Sequence, residues 1–168
     1  MDALIVNPLD ITMVISIEQQ RLQLFNTGQL LQAYAISTAK NGVGQENGSG
    51  CTPAGDHSIR AKVGADSPMG TVFVGRRPTG EVFSPELAEL HPNRDWILTR
   101  ILWLCGREPG VNRCGTVDTL RRYIYIHGCP DTAPMGTPES HGCIRMRNAD
   151  VVDLFDRVSV GTRVRIEV

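Results

Sequence analysis

Residues 123–146 read YIYIHGCPDTAPMGTPESHGCIRM. The β-branched and aromatic run Tyr123-Ile-Tyr-Ile-His127 has the pattern of a buried strand, and His127-Gly128 marks its entry into a tight turn. A loop punctuated by Pro130, Pro134, Gly136 and Pro138 follows and ends at Ser140-His-Gly-Cys143. Two of the four histidines and two of the five cysteines fall between residues 127 and 143. A thiol becomes a useful nucleophile when a nearby imidazole takes its proton, and a strand-end His127 can meet a loop Cys143 across a connection of this length. Gly128 and Gly142 lack Cβ atoms and let backbone and substrate approach closely. The N–H groups around His141, Gly142 and Cys143 can then hold the oxyanion of a tetrahedral intermediate.

The rival reading is a metal. His127-x-Cys129 with His141-x-Cys143 is formally a Cys₂His₂ set, although a single intervening residue is tighter than the usual spacing of zinc ligands. The remaining cysteines, Cys51, Cys105 and Cys114, read as small buried or incidental side chains. His57 and His91 read as solvated loop histidines, and Arg121-Arg122 as a solvated pair ahead of a strand.

Outward from this centre the chain is mainly β. Thr12–Ile17, Leu22–Phe25 and Leu30–Thr38 are strand candidates, linked by the polar Glu18–Arg21 and by Asn26-Thr-Gly28. Residues 41–55 (NGVGQENGSGCTPAG) carry neither a Gly-Lys-Ser/Thr nor a G-x-G-x-x-G pattern, so they read as a long surface loop. Residues 64–95 are rich in Pro and Gly, with a short strand at Thr71–Gly75, and are long enough to fold over a site as a lid. Trp96–Leu104 is apolar but unresolved between strand and helix. Asn148 reads as the N-cap of the one convincing helix, whose Val151, Leu154, Phe155 and Val158 fall on one face. Thr162–Val168 alternates as a half-buried final strand.

The chain has 168 residues, 41% apolar and 21% charged, with 17 basic and 18 acidic residues for a net charge of −1. This is the composition of an ordinary globular protein, read as one domain over residues 1–168. No basic block points to nucleic acid or to a membrane surface. MDALIVNPLDITMVISIEQQ is not a signal peptide, since Asp2 replaces the basic start and Pro8 and Asp10 interrupt the apolar residues. With an odd, irregularly spaced cysteine set, the expected location is the cytoplasm.

Ser140-His-Gly-Cys-Ile-Arg-Met146, preceded by His127-Gly128 and followed by Asn148 and Asp150, resembles the signature of the L,D-transpeptidase (YkuD) catalytic domain. Ile15–Phe25 resembles that family's opening hairpin and Cys51-Thr-Pro-Ala-Gly55 its Thr-Pro-x-Gly turn, so the resemblance covers residues from about 12 to 168. It implies a β-sandwich-like fold with one helix in the C-terminal region and short helical or loop insertions. It also implies Cys143 as nucleophile, His127 as base, oxyanion donors around Gly142 and Cys143, and a site shaped by Ser140, His141 and Arg145. Arg145 is the candidate for a substrate carboxylate. The implied substrate is a peptidoglycan stem peptide or muropeptide, cleaved between the L-centre of its third residue and terminal D-Ala, with no cofactor. A cytoplasmic member has no wall strands to join, so water is the expected acceptor and L,D-carboxypeptidase the leading activity, with L,D-transpeptidase second. A zinc-stabilised structural domain and a non-catalytic peptidoglycan-binding domain are the readings from other classes. Cys129 departs from the family pattern and is a candidate redox partner for Cys143.

Overall fold

The computed structural model describes residue 7 and residues 10–168; residues 1–6, 8 and 9, on which much of the leader reading rests, lie outside them. The first strands are β1 (Ile11–Ser16), β2 (Arg21–Asn26) and β3 (Gln29–Ala35), an antiparallel meander. Thr27 and Gly28, with φ of 48° and 79°, form the two-residue link between β2 and β3. Then come β4 (Gly55–Val63), β5 (Thr71–Val74), β6 (Arg77–Val82), the short helix α1 (Pro85–Leu90) and β7 (Ile97–Gly106). The chain closes with β8 (Tyr125–Gly128), β9 (Ile144–Met146), α2 (Asn148–Arg157) and β10 (Arg163–Glu167).

These strands form one sheet in the order β3-β2-β1-β10-β4-β7-β5-β6, with β8 on β7 and β9 on β8. The sheet curls back on itself. Ser37, just past β3, exchanges backbone hydrogen bonds of 2.9 and 2.8 Å with Arg145 of β9. The curl encloses one core to which alternate residues point: Ile11, Met13 and Ile15 from β1, Val164 and Ile166 from β10. The expected mainly β, sandwich-like fold is therefore found. The α2 face of Val151, Leu154 and Phe155 is buried against the same core, and Lys62 Nζ donates to the Phe155 and Val158 carbonyls at 2.7 Å, satisfying the helix end. Leu154 is fully enclosed, so Leu154→Ala is expected to destabilise by about 2–5 kcal/mol, read as a lower denaturant midpoint at unchanged slope.

The structure corrects several expectations. The run Trp96–Leu104, left open between strand and helix, is strand from Ile97 onward, within β7, which pairs with β4, β5 and β8. The N-cap of α2 is Arg147, not Asn148. Asn148 sits inside the helix and uses its side-chain amide to bond the Cys129 carbonyl at 2.9 Å, tying the turn after His127-Gly128 to the helix. His57 is not solvated. It is buried on β4 between the Gly55 carbonyl and the Thr119 hydroxyl, each at 3.0 Å. Within residues 64–95 the structure adds β6 and α1, whose Leu87 and Ala88 pack with Phe83 against a small separate core of Val72, Trp96 and Leu98.

Candidate active site

β8 and β9 run parallel, pairing Ile126 with Ile144 and His127 with Arg145. That register brings His127, at the end of β8, and Cys143, just before β9, to the wall of one cavity of about 490 Å³. His127 is 1% exposed, and its Nδ1 lies 2.6 Å from the Gly128 carbonyl. A carbonyl can only accept, so Nδ1 carries the proton and Nε2 keeps the lone pair. Burial lowers the imidazole pKa below its ordinary value, more than the Gly128 bond and Asp95 raise it. His127 is thus neutral and available as a base.

Cys143 packs against Phe73, Ile101 and Tyr125. Burial pushes its thiol up to about 12, against a smaller opposing effect of the Tyr125 N–H, which donates to Sγ at 3.3 Å. The thiol itself donates to the Tyr123 carbonyl at 3.4 Å. The resting pair is therefore neutral thiol and neutral imidazole, so this sulfur could serve as a nucleophile only by losing its proton in the step itself.

The turn that presents Cys143 is held from two sides. The buried Ser140 hydroxyl donates to the Cys143 carbonyl and accepts the Gly142 N–H at 3.3 Å. The Thr52 hydroxyl donates to the Gly142 carbonyl at 2.8 Å. Gly142 has φ 137°, and a Cβ there would come within 3.3 Å of the Cys51 carbonyl oxygen and the Ile124 side chain. A Cβ at Gly128 would collide with the Leu98 carbonyl at 2.7 Å. Both glycines are steric requirements of the site. The Gly142 N–H is already engaged by Ser140, whereas the Cys143 N–H has no acceptor among the described residues and is free to donate to a bound group.

Sequence reasoning missed Asp95. It accepts from Arg145 at 3.0 Å and faces His141 Nδ1 at 3.4 Å. Burial alone would raise its pKa, but the charges of His127 and Arg145 and the contact with His141 hold it below the usual carboxylate value. Asp95, His141 and Arg145 also line a second cavity of about 400 Å³ and so form the wall between the two. Arg145 is consequently occupied by a protein carboxylate, and His141 is a largely exposed side chain on that wall. No motif flagged Asp95, because it lies in a Pro-rich loop far from the signature.

Arg122 is not a solvated cation either. It donates to the Gly44 and Gln45 carbonyls at 3.1 Å, to the Ser49 hydroxyl at 3.3 Å and to the Cys51 carbonyl at 2.7 Å. The Gly-rich loop is thereby anchored beside the Cys143 turn. Arg122→Ala leaves these oxygens without their donor. Amide hydrogen exchange across residues 44–51 is expected to quicken while exchange in β1 and β10 stays slow; unchanged protection of the loop would refute the anchoring role.

Cys129 does not join the pair. It is 1% exposed, its thiol donates to the Met146 carbonyl at 3.3 Å, and it lines the second cavity, not that of Cys143. The β8–β9 register places Cys143 beside Tyr125, four residues before Cys129. At about 3.3 Å per residue the separation is roughly 13 Å, beyond the reach of a disulfide. The redox pairing therefore fails on geometry. The Cys₂His₂ set is likewise not assembled, and no group of three His, Cys, Asp or Glu side chains among the described residues is arranged to hold a metal ion.

The family model of the L,D-transpeptidase catalytic domain (YkuD) matches residues 10–166. "Probable L,D-transpeptidase ErfK/SrfK" of Salmonella typhimurium is 51% identical over 45 residues, 27% of this chain and 15% of that protein. "Probable L,D-transpeptidase YbiS" of Escherichia coli is 48% identical over 44 residues, 26% of this chain and 14% of that protein. The matched stretches thus span only a small part of these curated relatives. An L,D-transpeptidase structure from Mycobacterium smegmatis superposes with a TM-score of 0.55 at 20% identity, covering 95% of this chain and 59% of that one. L,D-transpeptidase 3 from Mycobacterium tuberculosis, solved with a faropenem-derived adduct, gives 0.58 at 15% identity, covering 95% and 60%. At such identities these two structures speak for the fold alone.

Proposed function

Because this chain belongs to the L,D-transpeptidase catalytic-domain (YkuD) family, we propose that it is a cysteine acyl-transferase acting on peptidoglycan stem peptides. The observation that carries the reading is the placement of Cys143 and a tautomer-fixed His127 on one cavity. Nε2 of His127 takes the Sγ proton as sulfur bonds to the carbonyl carbon at the L-centre of the third residue. The oxyanion is met by the Cys143 N–H. As the C–N bond to terminal D-Ala breaks, the proton passes from Nε2 to the leaving amine, and a thioester remains on Cys143. Asp95 favours the transient imidazolium through space. In the second half, His127 deprotonates the acceptor, which displaces Sγ.

Water is the proposed acceptor, which makes the activity that of an L,D-carboxypeptidase. A cavity of about 490 Å³ suits one small peptide, and the Asp95–Arg145 and Asp95–His141 contacts wall it from its neighbour. A cytoplasmic muropeptide fits this reading, wall strands being absent there as acceptors. The second reading is L,D-transpeptidation, favoured by the adjoining cavity of about 400 Å³, into which an acceptor amine would enter once that wall opened. Purified tetrapeptide, incubated with and without added amine, separates the two by product mass. Tripeptide and free D-Ala without dimer support hydrolysis, whereas 3-3 crosslinked dimer as the main product overturns it.

A further inference from the structure

Three guanidinium groups line the Cys143 cavity, those of Arg76, Arg122 and Arg145, against one carboxylate, Asp95. Arg145 is paired with Asp95, and Arg122 is spent on four oxygens of the Gly-rich loop. Arg76 has no anionic partner among the described residues. It donates to the Tyr125 hydroxyl at 2.9 Å and lies over the rings of Trp103 and Tyr123, 4.3 and 5.1 Å from their centroids.

Its backbone position is also telling. Gly75 and Arg76, with φ of 55° and 64°, are the two-residue link of the β5–β6 hairpin. Both positions of such a turn favour Gly, Asn or Asp, and arginine is strained there. Tyr123, on whose ring Arg76 rests, is a second bulky residue at positive φ, 55°. Strain at two touching residues over the nucleophile's cavity points to a role outside folding. What arginine supplies at this tip is a planar cation, fixed by ring faces and one hydroxyl, with donors left for a carboxylate.

We infer that Arg76, at the tip of the β5–β6 hairpin over the Cys143 cavity, receives a free carboxylate of the acyl donor and sets specificity for unblocked over amidated stem peptides. The inference rests on the proposed acyl transfer and moves the carboxylate contact from Arg145, where the sequence placed it, to Arg76. The carboxylate comes either from the C-terminus of the peptide or from the side chain of its third residue.

Calorimetric binding to the Cys143→Ala protein, which cannot react, tests this with three tetrapeptides: unblocked, C-terminally amidated, and amidated on the third side chain. One of the two amidations is expected to weaken binding roughly tenfold to a hundredfold, and which one identifies the source. Adding Arg76→Asn, which tolerates the left-handed turn, should bring the ratio of unblocked to amidated affinity close to one, while Arg76→Lys should retain part of it. Equal binding of all three peptides to Cys143→Ala, failure of the unblocked peptide to bind, or a ratio that persists in Arg76→Asn would each overturn the inference. If discrimination is found but wild-type protein releases no D-Ala, the carboxylate site stands and the acyl-transfer reading falls.

Discussion

Cys143→Ala is expected to lower turnover of tetrapeptide by at least ~10⁴-fold, because covalent catalysis has no substitute once its nucleophile is gone. A carbapenem is expected to acylate the wild-type protein and add its mass, and the same change should abolish that increment. The fold should survive. Cys143 Sγ makes two long backbone hydrogen bonds, accepting from the Tyr125 N–H and donating to the Tyr123 carbonyl, so the cost to stability is expected to be about 1–2 kcal/mol. Cys129 is the internal control. Burial pushes its thiol up to about 11, and its own bond is to the Met146 carbonyl. Labelling that persists in Cys143→Ala and disappears in Cys129→Ala would reverse the assignment.

The second large effect belongs to His127. His127→Ala is expected to cost ~10²-fold or more in kcat/KM, the usual contribution of a general base. His141→Ala should cost less, because that side chain is mostly exposed and acts only on the wall with Asp95. The pH dependence follows from the direction of the shifts. The base works when neutral, and the pKa of His127 lies below its ordinary 6.5. Activity is therefore present above that value and lost as pH falls through the lowered pKa. With the thiol at about 12, no rise from thiolate formation is expected between pH 7 and 9. A profile that climbs through pH 8–9 would mean a free thiolate does the work, and a larger loss in His141→Ala than in His127→Ala would exchange the two histidines.

Much of this was legible in the residues and some was not, for physical reasons. Alternation exposes a strand with one buried face, which is why β1 and β10 could be read, as could the helical face of Val151, Leu154 and Phe155. Trp96–Leu104 lies between two neighbours and is buried almost throughout, so its period carries no signal. Cys143 and His127 stood out as candidates because they sit in a local motif, beside glycines the geometry needs. Asp95 and Arg76 lie in loops distant in sequence from that motif, and Arg122, directly before it, meets its partners in residues 44–51 only through the fold. Arg145 shows the converse: its motif position suggested a substrate carboxylate, yet a protein carboxylate already fills that place.

The most direct measurement is mass spectrometry of the protein quenched in acid during turnover of purified tetrapeptide, with the adduct mapped by proteolysis. The expected result is a tripeptidyl thioester on the fragment carrying Cys143, formed together with one equivalent of free D-Ala and absent from Cys143→Ala. Release of D-Ala at the wild-type rate with no adduct, and with turnover preserved in Cys143→Ala, would contradict it.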